Sequence, residues 1–299
     1  MSHYTRINYI EPKNKDMAII LPYFNFCNSK NILNNLLTVK KSFEIANIPF
    51  YIGEVIFNDQ KSVFNDGEEN VFTFITDSYM FYKENIINLI EEKIPENYTK
   101  ICVMDADILF NDKYWYSYIS TSLNKNIICQ PFKNAIWLDK RYREIHRNQS
   151  VLVKNIGGHP GFIWAFNRKW LSKNKLFDLS IIGGGDILFA SALLKIEFNK
   201  KKWLNCSYNN YISHSNLPNS TQISDCDLTV YHLYHGQLKN RQYTTRNDIL
   251  NDLLSFFGVD DIIHLLKRND DGLLQWKDEY KQKCNENMKT FFINRLDDT

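Results

Sequence analysis

Apolar and polar positions alternate in blocks along the N-terminal part of the chain, and the blocks predict strands and helices in turn. Residues 17–23 (MAIILPY) form a continuous apolar run, as a strand buried on both faces would. Over residues 29–46, Ile32, Leu33, Leu36, Leu37, Val39 and Phe43 fall at helical spacing. Residues 49–57 read as a second strand, 82–93 as a second helix and 100–104 as a third strand. This order predicts an α/β layer whose central sheet is mostly parallel and flanked by helices. Ligands of such sheets bind beyond the carboxyl ends of the strands, which puts residues 22–25, Glu54 and the positions after Met104 on one rim.

The second half is less regular. A Gly-Gly-His-Pro-Gly turn at 157–161 leads into an aromatic strand at 162–166. Three glycines at 183–185 and Asp186 precede a helical run at 187–196, and a strand at 228–234 ends at His235-Gly236. From 247 onward the chain reads as a polar-faced helical extension. No repeat, low-complexity linker or composition break divides the chain, so one domain with a C-terminal extension is expected.

Composition narrows the partners. The net charge of +2 over 299 residues offers no global field for nucleic acid, so any anionic ligand has to be met locally. Six scattered cysteines without C-x-x-C spacing suit a reducing compartment. The polar stretch 1–15 has no signal-peptide pattern, and no run is long and apolar enough to cross a membrane. A cytoplasmic location is therefore expected. The aromatic surplus of 20 Phe, 17 Tyr and 6 Trp reads mostly as core, with Tyr23 and Trp164 the first candidates for site walls.

Asp105-Ala106-Asp107 follows a buried strand onto the ligand rim, where two carboxylates can hold Mg²⁺ or Mn²⁺ completed by phosphate oxygens. A second instance of the spacing, Asp225-Cys226-Asp227, precedes a strand and lacks that placement. Asp186 reads either as a helix cap or as a general base beside a closely approached glycine loop. His232 and His235 cannot both be ligands on a continuous strand, because residues three apart face opposite sides. His235, before a glycine, is preferred, with His232 second. Lys83, Asn85 and Asn88 at a helix start would favour phosphate, while His159, Gly161 and Trp164 could line a sugar pocket.

The ordered set resembles the nucleotide-sugar glycosyltransferases of the GT-A fold. It comprises Leu21-Pro22-Tyr23-Phe24-Asn25, Glu54, Lys83-Glu84-Asn85 with Asn88, Asp105-x-Asp107, Gly161-Phe162-x-Trp164, Gly184-Gly185-Asp186 and His232-x-x-His235-Gly236. It is most similar to the galactosyltransferase-like group and related enzymes of phages, bacteria and large viruses. The resemblance covers about residues 18–246 and extends to a Phe291-Phe292-x-x-Arg295-x-Asp297-Asp298 tail.

The resemblance implies a transferase domain at 1–246, with a nucleotide-sugar half at 17–150, an acceptor half at 151–246 and a helical extension at 247–299. It implies Mn²⁺ (or Mg²⁺) on Asp107, Asp105 and His235. The nucleotide sugar would lie among Pro22, Tyr23, Asn25, Glu54, Lys83, Asn88 and Ala106, and the acceptor near His159, Gly161, Trp164, Gly184 and Gly185. Asp186 would be the base of an inverting transfer from a UDP-sugar to a glycan or other hydroxyl acceptor. Relatives often carry Glu or an acidic pair at this motif, whereas Asp186 is followed here by Ile187 and Leu188. Two alternatives stand beside this reading. One is a non-catalytic sugar-nucleotide or glycan binding module. The other is a nucleotidyltransferase, which would want a glycine-rich phosphate loop that residues 21–29 lack.

Overall fold

The computed structural model describes residues 8–58, 60–196, 203, 205–243 and 245–299, so the expectation for 1–15 falls partly outside the described residues. The strands are β1 (Met17–Phe24), β2 (Phe50–Phe57), β3 (Val71–Thr76), β4 (Lys100–Met104), β5 (Ile108–Phe110), β6 (Ile128–Gln130), β7 (Asn134–Leu138), β8 (Glu144–Gln149), β9 (Ile163–Asn167), β10 (Ile223–Asp225), β11 (Thr229–His232), β12 (Leu266–Arg268) and β13 (Leu274–Trp276). Seven of them form the central sheet in the order β10-β6-β9-β4-β1-β2-β3. Its pairings are parallel except those of β9, which runs antiparallel to β4 and β6. The expected mostly parallel sheet is present.

Alternation along β1 explains the continuous apolar run. Ala18 and Ile20 join a buried cluster with Ile86, Ile87 and Ile90 of the helix Lys83–Glu91. Met17, Ile19 and Leu21 join the opposite cluster with Leu36, Val39 and Phe43 of the helix Lys30–Ile45. Successive side chains point to opposite faces, so a strand covered on both sides needs apolar residues throughout.

A smaller sheet, β5-β11-β7-β8, carries the segment that follows β4. Opposite His232 of β11 stands Ile108 of β5, and the Leu233 N–H donates to the Asp107 carbonyl at 2.8 Å. This pairing brings a strand more than a hundred residues away against the end of β4.

The expected helical extension after 247 is present, interrupted by a short hairpin. The helix Arg246–Phe257 is followed by the β12–β13 hairpin and the helix Asp278–Asn294. Leu253, Trp276, Cys284, Phe291 and Phe292 enter the same buried cluster as Ile86 and Ile90. Asp298 then accepts from the Ser29 hydroxyl (2.7 Å) and from the N–H groups of Lys30 and Asn31 (3.0 and 2.9 Å), capping the helix Lys30–Ile45. No described helix is long and apolar enough to cross a membrane.

Candidate active site

The parallel strands deliver Pro22, Tyr23 and Asn25 from the end of β1, and residues 105–107 from the end of β4, to one edge of the sheet. Because β9 is antiparallel, the residues before it reach that same edge, with Ile163 opposite Met104. The turn at 157–162 therefore arrives beside Asp105, whose N–H donates to the Phe162 carbonyl at 2.9 Å. A cleft of about 620 Å³ opens there, lined by Asp105, Ala106, Asp107, Lys83, His159, Gly184, Asp186, His232 and His235 among others.

Asp107 and both histidines converge. The Oδ2 atom of Asp107 lies 2.8 Å from His235 Nε2 and 3.5 Å from His232 Nε2, and the two imidazole nitrogens are 3.3 Å apart. The strand ends at His232, so the opposite-face rule no longer applies to His235, and both rings turn to one point. The other carboxylate oxygen, Asp107 Oδ1, is buried without a hydrogen-bond partner. One oxygen and two nitrogen donors within 4.8 Å of one another suit a divalent ion such as Mn²⁺, and the orphaned Oδ1 is available to it. Burial pushes His232 down to about 3, so it presents a lone pair and no charge at neutral pH. Burial would also raise Asp107, but His232, His235 and Arg241 outweigh it and hold the carboxyl well below its usual range. With His232 neutral, the His235 hydrogen bond and the Arg241 charge are what sustain that shift.

Asp105 sits apart from the imidazoles. Its Oδ1 is 2.5 Å from Lys83 Nζ, and burial together with the Asp107 charge lifts it to about 6 although Lys83 opposes this. Lys83 is buried, which alone would lower it, yet Asp105, Asp186 and Glu84 keep its ammonium above the ordinary range.

Asp186 is not the helix cap. The helix Gly185–Leu194 is capped by Gly184, and Asp186 lies in its first turn with Oδ1 accepting from Ile187 N–H at 2.8 Å. Its Oδ2 faces Gly161, where an added β-carbon would collide with it and would lie 3.3 Å from His159 Nε2. His159 Nε2 is buried without a partner, and burial lowers the ring to about 4, so it is uncharged near neutrality. Gly185 has a separate reason to be glycine: a β-carbon there would strike the Glu84 carboxylate. Glu84 is buried against that turn and lines the cleft.

Other expected residues take structural places. Glu54 is fully buried and accepts from the Ser62 hydroxyl (2.6 Å), Val63 N–H (3.0 Å) and Thr73 hydroxyl (3.1 Å). It thereby fixes the turn whose Phe64 ring packs edge-on against Tyr23. Asn88 brackets Leu176, accepting from its N–H at 2.9 Å and donating to its carbonyl at 2.8 Å. Trp164 donates to the Pro160 carbonyl at 2.8 Å and packs on Phe189, behind the cleft rather than on its wall.

The sequence reading missed several cleft residues. Trp137 of β7 packs at a tilt on His146 of β8 and on Phe162, and meets His159 edge-on. Glu84, inside the Lys83-Glu84-Asn85 motif, also lines the cleft. Arg241, Arg246 and Arg295 form a basic wall on the C-terminal side with Asp297. The arginines after His235-Gly236 and the Arg295-x-Asp297 tail are the signal that could have located this wall.

No family model matches the chain, and no curated protein matches it. Solved structures do show similarity. The catalytic domain of Drosophila β1,4-galactosyltransferase 7 in complex with xylobiose is 13% identical over 60% of this chain and 60% of that chain, with a TM-score of 0.37. Glucosyl-3-phosphoglycerate synthase from Mycobacterium tuberculosis, in complex with Mn²⁺, uridine diphosphate and phosphoglyceric acid, is 9% identical over 82% of this chain and 79% of that chain, with a TM-score of 0.43. The match to the galactosyltransferase thus spans less than two thirds of either chain. At this level the likeness carries no weight for what this chain does, and the chemistry of the cleft has to bear the functional reading.

Proposed function

We propose that the chain is a divalent-metal-dependent glycosyltransferase of the GT-A type, moving a sugar from a nucleoside diphosphate, UDP in the first instance, to a hydroxyl acceptor with inversion. The observation that carries this reading is the convergence of Asp107, His232 and His235 in a cleft that also holds the Asp186 carboxylate. A bound ion would neutralise the charge that grows on the departing diphosphate.

The chain's own residues supply the rest. Lys83 and the arginines at 241, 246 and 295 place fixed positive charge around the cleft, already oriented before reaction. Pro22 and Tyr23 line the cleft on the nucleoside side, while the Asn25 amide shapes the loop after β1, accepting from the Ser29 N–H and donating to its carbonyl, both at 2.8 Å. Trp137, His146 and His159 offer ring faces and edges to a sugar. Asp186 would take the acceptor proton as the hydroxyl oxygen attacks the anomeric carbon from the face opposite the leaving group. In this reading residues 1–246 are the transferase unit, and the extension from 247 contributes Arg295 and Asp297 to its wall.

Asp186→Asn tests the base assignment. Turnover is expected to fall by about 10²–10⁴-fold, while donor binding, read as thermal stabilisation by a UDP-sugar with Mn²⁺, persists. Turnover near wild type would overturn the assignment.

A further inference from the structure

We infer that Arg246 is an anion subsite for the acceptor, so that the accepting molecule carries a carboxylate or a phosphate group near its reacting hydroxyl. The inference rests on the functional reading above and names the acceptor's chemical class. The Lys and Arg side chains lining the cleft are Lys83, Arg241, Arg246 and Arg295. Lys83 is paired with Asp105, and Arg241 and Arg295 each lie 3.4 Å from a carboxylate oxygen of Asp297. Arg246 makes no ion pair and no side-chain hydrogen bond among the described residues, and its Nε is buried without a partner. Its guanidinium carbon lies 5.3 Å from the centre of the Tyr243 ring, a contact that supplies no acceptor oxygen to its N–H groups.

The backbone is shaped to seat this guanidinium beside the proposed base. Gly183 and Gly184 have φ +83° and +96°, and β-carbons on them would lie 3.0 Å from Nη1 and 2.8 Å from Nη2 of Arg246. Two glycines therefore let the group lie against the turn that leads into Asp186. Burial draws the guanidinium down, and Asp186 is the strongest charge opposing this. Arg241, by contrast, stands at the cation site, donating to the His235 carbonyl at 2.7 Å. The donor's diphosphate would thus meet the ion and Arg241, while Arg246 stands where the accepting hydroxyl approaches Asp186. A guanidinium there fits a planar carboxylate or a phosphate through two parallel N–H bonds. A neutral acceptor would leave a half-desolvated cation unpaired.

Thermal melts of the full chain saturated with UDP and Mn²⁺ test the assignment, with glucuronate, glucose 6-phosphate and glucose as probes. An anionic sugar is expected to stabilise the wild type further at concentrations where glucose does not. The two anionic probes separate a carboxylate preference from a phosphate one. Arg246→Gln is expected to raise the concentration for half-maximal stabilisation by about 10–100-fold, while stabilisation by UDP with Mn²⁺ persists. Arg246→Lys is expected to recover part of the loss. Glucose acting as well as the anionic sugars, no response to either anionic sugar, or an unchanged response in Arg246→Gln overturns the inference and leaves the functional reading standing. Loss of the UDP and Mn²⁺ response in a folded Arg246→Gln also overturns it, by assigning Arg246 to the donor. A wild type that UDP and Mn²⁺ do not stabilise defeats the functional reading and the inference with it. If Arg246→Gln does not fold, the wild-type comparison of the three sugars and the weakened response of Arg246→Lys decide the matter.

Discussion

Replacing Glu84 by Gln should stabilise the protein in a way that depends on pH. Burial is the main cause that lifts this carboxyl from 4.5 to about 8, with Asp186 adding to it and Lys83 opposing. The folded chain therefore holds a proton that the unfolded chain releases. A group with a raised folded pKa gives stability that is fully present below the unfolded value and is lost as pH rises through the folded one. The window here is from about pH 4.5 to about 8. Each tenfold change in proton affinity is about 1.4 kcal/mol, so wild type should lose on the order of 3 kcal/mol between pH 5 and pH 8 through this group. Gln keeps the shape against Gly185 and has nothing to ionise. Guanidinium denaturation of both proteins across that range should show Glu84→Gln gaining on wild type as pH rises, with near-equality at pH 5. Parallel curves with a constant offset would refute the argument and mean that Glu84 is already ionised, or already solvated, in the folded chain.

Two substitutions probe other contacts. Asp107→Asn should abolish stabilisation by Mn²⁺ in a thermal melt and should also lower the apo melting temperature, because a carboxyl held below its ordinary range contributes stability when ionised; retained Mn²⁺ stabilisation would place the ion elsewhere. Arg168→Ala should cost about 2–3 kcal/mol in chemical denaturation through lost bonds to carbonyls and to a charged group, with Lys175, 2.9 Å from Glu91, still balancing that carboxylate. Arg168 donates to the carbonyls of Glu91, Ile94, Pro95 and Tyr98 at the end of the Lys83–Glu91 helix, and to the nearly buried Glu91 carboxylate; a loss under 1 kcal/mol would contradict that accounting.

The parts of the fold that were legible in sequence are those where burial on both faces writes a continuous apolar run. β1 and β4 announce themselves this way, and the carboxylates after β4 follow from their place at its end. β8 could not be read, because its residues Glu144–Gln149 are mostly exposed and show no two-residue alternation. With it went Trp137 and His146, whose place in the cleft depends on the pairing of β7 with β8. The two-residue period assigns the two histidines to opposite faces, and only the actual end of β11 reunites them. Asn88 and Glu54 show the converse. A polar residue near a ligand rim looks the same in sequence whether it meets a ligand or a backbone group, and here long-range partners use up their polar atoms. Glu84 meets Gly185 across more than a hundred residues, and Arg241 meets Asp297 of the tail across more than fifty, which no local pattern encodes.

The near-neutral charge also has a structural answer. Four basic side chains are gathered in one cleft against a group of buried carboxylates, so local field and net charge are independent. In the proposed reaction this cleft transfers a sugar from a nucleoside diphosphate with the help of an ion on Asp107, His232 and His235. Its most direct measurement is nucleoside diphosphate release from a panel of UDP-, GDP- and CDP-sugars by the purified chain, with Mn²⁺ and with a chelator. Slow release from a UDP-sugar is expected, needing Mn²⁺ and disappearing in Asp107→Asn. Binding of the sugar nucleotide with no release under any metal condition, or release indifferent to both chelator and Asp107→Asn, would contradict it.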